Sequence, residues 1–120
     1  MRSFIITLAL FLSVCIAISF NYSYINSVAE FVVDCVSEEN FETDPETAID
    51  RLDSFWKDNS SIVGMSVGYR ELDRMSDLII DLRTYFELGN ASEVIRIRAL
   101  IEETADEISR LEKFSIENLL

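Results

Sequence analysis

Histidine is absent from the 120 residues of this chain, which removes the commonest general base, the commonest transition-metal ligand and the simplest catalytic triads. Charge is almost absent from the first twenty residues, where Arg2 stands alone. Proline occurs once, at Pro45, and no residue between Phe4 and Glu39 breaks a helix. Strand-like alternation, low-complexity tracts and convincing internal repeats are missing throughout. Cysteine occurs twice, at Cys15 inside an apolar run and at Cys35 twenty residues later. A bridge between them would have to cross from lipid to water and is rejected. Both positions suit burial as small apolar side chains, and an intermolecular bridge from Cys35 stays open as the use of an odd thiol outside the cytoplasm.

What is present first is a membrane signal. Phe4–Phe20 is 17 residues without charge, Gly or Pro, about 25 Å of helix at ~1.5 Å per residue and slightly short of a bilayer core. Continuing to Ile25 closes the gap and sets Tyr22 and Tyr24 at the headgroup boundary that aromatic rings favour. Two readings compete. Ala17-Ile-Ser19 offers small residues three and one before a cut, as in a secretory signal. The run is longer than the roughly 7–15 apolar residues of such signals and leads straight into helical sequence, which favours an uncleaved anchor. A lipoprotein is disfavoured by Val14, which is not small, immediately before Cys15. Arg2 and the amino terminus place the N-terminus inside and the rest outside.

Residues 1–25 are therefore read as the anchor and 26–120 as one small helical domain. From Asn21 onward, 9 basic and 22 acidic residues leave a charge of −13. Such a surface is repelled by nucleic-acid phosphates and anionic lipid headgroups, so neither is expected as a partner; solubility is its simplest role.

Apolar positions at Tyr24/Ile25, Val28, Phe31/Val32 and Cys35/Val36 continue the anchor as an amphipathic helix. Asn40–Pro45 reads as a turn in which Asp44 caps a second helix and Pro45 takes its first position. That helix carries Ala48/Ile49, Leu52 and Phe55/Trp56 on one side, with Trp56 read as core in preference to a ligand platform. Asp58–Ser61 suggests an interruption, followed by a third helix over Ile62–Leu88 with Leu72, Met75, Ile79, Leu82 and Phe86 in its stripe. Gly64 and Gly68 are read as a weak or kinked first turn. Gly89 and Asn90-Ala-Ser-Glu93 predict a helix end and a new cap. The last helix turns Val94, Ile97, Ile101, Ala105, Ile108 and Leu111 inward. The expected fold is all-α: an N-terminal transmembrane helix continuing into a small antiparallel bundle of three to four helices.

Chemistry-bearing sets are not found. Asp73/Asp77/Asp81 and Glu102/Glu103/Asp106/Glu107 read as solvated helix faces, and no EF-hand spacing is present. The three sequons, at Asn21, Asn59 and Asn90, matter only in a eukaryotic secretory pathway. No catalytic, cofactor-binding or metal-ligating residues are assigned, and no cofactor is expected.

The anchor, the Trp56-bearing helix, Glu71-Leu-Asp, Asp81-Leu-Arg-Thr-Tyr85 and the closing Phe114-Ser-Ile-Glu-Asn-Leu-Leu120 together resemble the small membrane-anchored proteins of clostridia and related bacteria grouped as domain of unknown function family 4363. The resemblance covers nearly the whole chain and implies no assigned activity and no transferable site residue. It implies an accessory role beside a polytopic membrane protein, and it places a histidine near Tyr69 that this chain lacks. The leading expectation is a non-enzymatic accessory or interaction module that binds a protein partner through a helix face or the Leu119-Leu120 end. The alternatives are a secreted helical ligand- or cation-binding protein released after Ser19, and an enzyme using buried carboxylates.

Overall fold

The computed structural model describes Met1–Leu119, and within that range the side chains of all but Ser115, Ile116 and Leu119. The described residues form five helices: α1 Arg2–Val36, α2 Glu38–Thr43, α3 Pro45–Val67, α4 Tyr69–Glu87 and α5 Ala91–Leu119. Four of them are long, and α2 is a short crossover, so the all-α bundle expected from periodicity is the fold observed. The contact expected of Leu119 and Leu120 lies outside the described side chains.

α1 is one uninterrupted helix with two kinds of surroundings. Its apolar half lies bare, with Phe4, Ile5, Ile6, Leu10, Phe11 and Ile16 all exposed. The other half enters the bundle and buries Ile25, Val28, Ala29, Val32, Cys35 and Val36. Its side-chain hydrogen bonds to the other helices begin at Asn21, whose side chain donates to Glu112 at 2.6 Å and accepts from Ser66 at 3.1 Å. Ile25, counted with the apolar segment on sequence, is fully covered, and Tyr24 is half-buried with its hydroxyl donating to Asn59.

The C-terminus of α1 is finished by a residue 62 positions away. Arg98 donates from Nε and Nη2 to the Val36 carbonyl, at 3.0 and 2.9 Å, while its guanidinium lies 4.4 Å from the centre of the Phe41 ring. A cation at this end also meets the negative pole of the helix dipole. Ser37 then starts α2, so the expected turn over Asn40–Pro45 is a helical one. The Asp34 carbonyl accepts from the Ser37 hydroxyl and from Asn40 Nδ2, tying the two helices together.

Asp44 and Pro45 behave as their chemistry dictates. The Asp44 carboxylate accepts from the Thr47 amide at 3.2 Å and from its hydroxyl at 2.6 Å, with Pro45 in the first helical position. These two bonds hold its carboxyl below the usual value of 3.8.

The break expected at Asp58–Ser61 is not there. α3 runs through it because Asn59 is satisfied within the helix, donating to the Phe55 carbonyl at 2.8 Å and accepting from Tyr24. The chain turns instead at Gly68, with φ 97° and ψ 165°. That region is open in practice to glycine alone. Gly64 serves a different end: it is buried where α3 meets α4, and a Cβ there would lie 2.9 Å from Leu72 Cδ2. The α4–α5 turn follows the Schellman pattern, with Asn90 N–H on the Tyr85 carbonyl and Gly89 N–H on that of Phe86. The Asn90 side chain then accepts from the Glu93 amide as a cap.

Inside the bundle, Ile49, Leu52, Val63, Met75, Leu82, Ile97, Ile101 and Ile108 are fully covered. Each such Leu or Ile contributes roughly 1.5–3 kcal/mol. Trp56 is core, as expected, and its indole donates to Ser76 Oγ at 2.8 Å. Phe31 stacks on Phe55 at 4.0 Å between centroids. Leu111 differs from expectation and is 36% exposed. The buried row of α5 steps from Ile108 to Glu112, leaving Leu111 on the flank.

Gly68→Ala is expected to cost about 1–3 kcal/mol, read by thermal denaturation of the full chain in detergent. Gly64→Ala should be nearly neutral, because the mobile end of Leu72 can give way and alanine gains about 1 kcal/mol of helix propensity. Asp44→Ala should lower the melting temperature by a few degrees at neutral pH. Because the folded carboxyl titrates below its unfolded value, this contribution is present above pH 3.8 and is lost as pH falls through the lower folded value. The gap between the two proteins should therefore close in acid.

Candidate functional site

The carboxylates singled out on sequence are dispersed over the surface. Asp73, Asp77, Asp81, Glu102, Glu103 and Asp106 are exposed, and Glu107 is half-buried facing Arg74 at 3.5 Å. No group of three potential metal ligands occurs among the described residues. The Cys35 thiol is buried, and desolvation pushes its pKa up, so it is a protonated core group. The intermolecular bridge left open for it conflicts with that burial. Cys15 is also free.

Two features escaped the sequence reading. The first is Glu112, a carboxylate only 5% exposed and bonded to Asn21. Its signal was positional, since it follows Ile101, Ala105 and Ile108 on the buried row of α5, as Asn21 precedes Ile25 on that of α1. Together with Ser66 these residues make a small polar cluster at the level where the apolar half of α1 ends. Every polar side-chain atom fully buried among the described residues has a partner.

The second is an apolar groove at the opposite end of the bundle, about 370 Å³ in volume, lined by Phe41, Pro45, Phe86, Val94, Ile95 and Arg98 among others. Phe41 and Phe86 meet edge to face at 6.3 Å, Ile95 is exposed, and Arg98 forms one wall while engaged with Val36. Val94 is buried and Phe86 packs half-buried against the core, as periodicity predicts, and their outer edges floor the groove where α2 crosses the bundle end without sealing it. Its walls suit an apolar side chain or short helix, with Glu42 and Arg98 as the charged members of the lining.

No match was found among curated proteins, and none among solved structures. A family model described as Domain of unknown function (DUF4363) matches residues 19–119, starting where the apolar half of α1 gives way to the half that packs. The chain belongs to that family.

Proposed function

We propose that this protein is a single-pass, membrane-anchored helical module, N-terminus inside and domain outside, that serves as a non-enzymatic accessory to a membrane-protein partner. The observation that carries this reading is the bare apolar half of α1. It is long and apolar enough to cross a membrane and entirely unburied, yet continuous with a helix that supplies the bundle core. Exposed apolar area of that extent is covered by lipid or by protein. Arg2, before the span, supports the orientation through the positive-inside bias. The accessory role draws on the absence of histidine, the dispersed carboxylates and the apolar groove at the tip, which offers a partner a hold.

One observation favours the alternative of a secreted ligand- or cation-binding domain: the side-chain hydrogen bonds from α1 to the other helices begin at Asn21, so a cut after Ser19 would leave them all in place. Against it, the apolar run of 17 residues exceeds the roughly 7–15 of a secretory signal.

Expressed in its own cell envelope, the chain is expected in the membrane fraction after alkaline extraction, with the intact mass of all 120 residues. A soluble species beginning at Phe20 would sink the anchor. A photo-crosslinker at Ile95 should yield one discrete adduct with a membrane-embedded protein, and a smear or no adduct at normal expression would count against the accessory role.

A further inference from the structure

Resting on the anchored reading, we infer that the end of the bundle nearest the apolar segment is a lipid-seating surface, inserted into the outer headgroup layer of the bilayer. Three observations converge. First, the hydrogen bonds of Asn21 to Ser66 and Glu112 fix the level of α3 and α5 against α1. Asn21 follows the apolar run directly, so these residues stand at the hydrocarbon boundary. The last turns of α5 then run beside the outer end of the apolar segment, and Ile18 and Cys15 are the members of Phe4–Phe20 that are partly covered.

Second, that level carries exposed side chains with a preference for the interface. Met65 is 81%, Tyr69 74% and Phe114 63% exposed. They come from three different helices, and water is an unfavourable neighbour for Met65 and Phe114. Tyrosine presents an apolar ring and a polar tip, the combination enriched at headgroup depth.

Third, the charge pattern changes there. The other basic residues of the domain are engaged: Lys57, Arg74, Arg83 and Arg96 in ion pairs, Arg51 and Arg98 on aromatic rings. Arg70, Arg110 and Lys113 have no ion pair among the described residues, and all three lie at this level. With Glu71, Glu112 and Glu117 they make residues 69–71 and 110–117 neutral together, within a region that carries −13. Long basic side chains can lay their stems on apolar surface and reach lipid phosphates with their heads. An otherwise acidic domain thus turns toward the bilayer an end that headgroups do not repel.

The test uses the full chain in vesicles of phosphatidylcholine whose acyl chains carry bromine near the headgroup. Tryptophan is introduced as Met65→Trp or, at the far end, Ile95→Trp, and emission is compared with the parent chain, whose Trp56 is common to all. The added emission at position 65 should be quenched severalfold more than that at 95. Vesicle flotation is read in parallel. A chain that floats with position 65 quenched no more than position 95 overturns the seating while leaving the anchor intact, and a protein seated on this surface in native membranes would then be the occupant. A chain that fails to float overturns the anchor and the seating with it.

Discussion

Because Arg2–Val36 is a single helix, its first half cannot be placed in one solvent without fixing where the second half stands. The two halves obey different rules. Up to Phe20 the helix is apolar on every side, as a segment facing hydrocarbon requires; from Asn21 onward only the stripe through Ile25, Val28, Val32 and Cys35 is covered. Helical phase is conserved between them, so the bundle inherits a fixed height and rotation relative to the apolar segment. The Asn21, Ser66 and Glu112 cluster marks the change, since a buried carboxylate such as Glu112 is tolerated only when a donor such as the Asn21 amide satisfies it. A loop at this point would have left the bundle tethered; a helix leaves it mounted.

The helix ends show how differently local and distant signals read. Asp44-Pro45 and Gly89-Asn90 were legible because a cap or a left-handed residue acts within a few positions of itself. The finish of α1 was not, because Arg98 lies 62 residues from the carbonyl it holds. The misplaced break between α3 and α4 has the same origin. Asp58–Ser61 is polar enough to suggest a loop, but Tyr24 and the Phe55 carbonyl satisfy Asn59 and keep it helical, while Gly68, with no Cβ, takes the turn. Core membership was largely readable from the 3.6-residue period. Its errors, Leu111 outward and Glu112 inward, are neighbours at the edge of one stripe, where a polar partner on another helix decides the outcome.

Function was less legible than fold for a physical reason. Catalytic sites announce themselves through residue types whose chemistry is scarce, whereas surfaces that contact lipid or protein are made of the same Met, Phe, Ile and Arg that fill cores and solvate faces. The groove of Phe41, Phe86 and Ile95 and the exposed Met65, Tyr69 and Phe114 emerge only when four long helices and α2 are assembled, because each set draws on separate elements. They also lie at opposite ends of the bundle, which separates the surface proposed to seat on the bilayer from the groove proposed to hold a partner.

The unbroken α1 also has a mechanical meaning. The sixteen residues from Asn21 to Val36 form an arm of about 24 Å. Transmembrane helices stand ~20° from the bilayer normal on average, and over a stiff arm of that length such an inclination corresponds to a sideways offset of about 8 Å at its far end. In a bilayer the inclination of the helix would therefore set the lateral position of the groove beside Arg98.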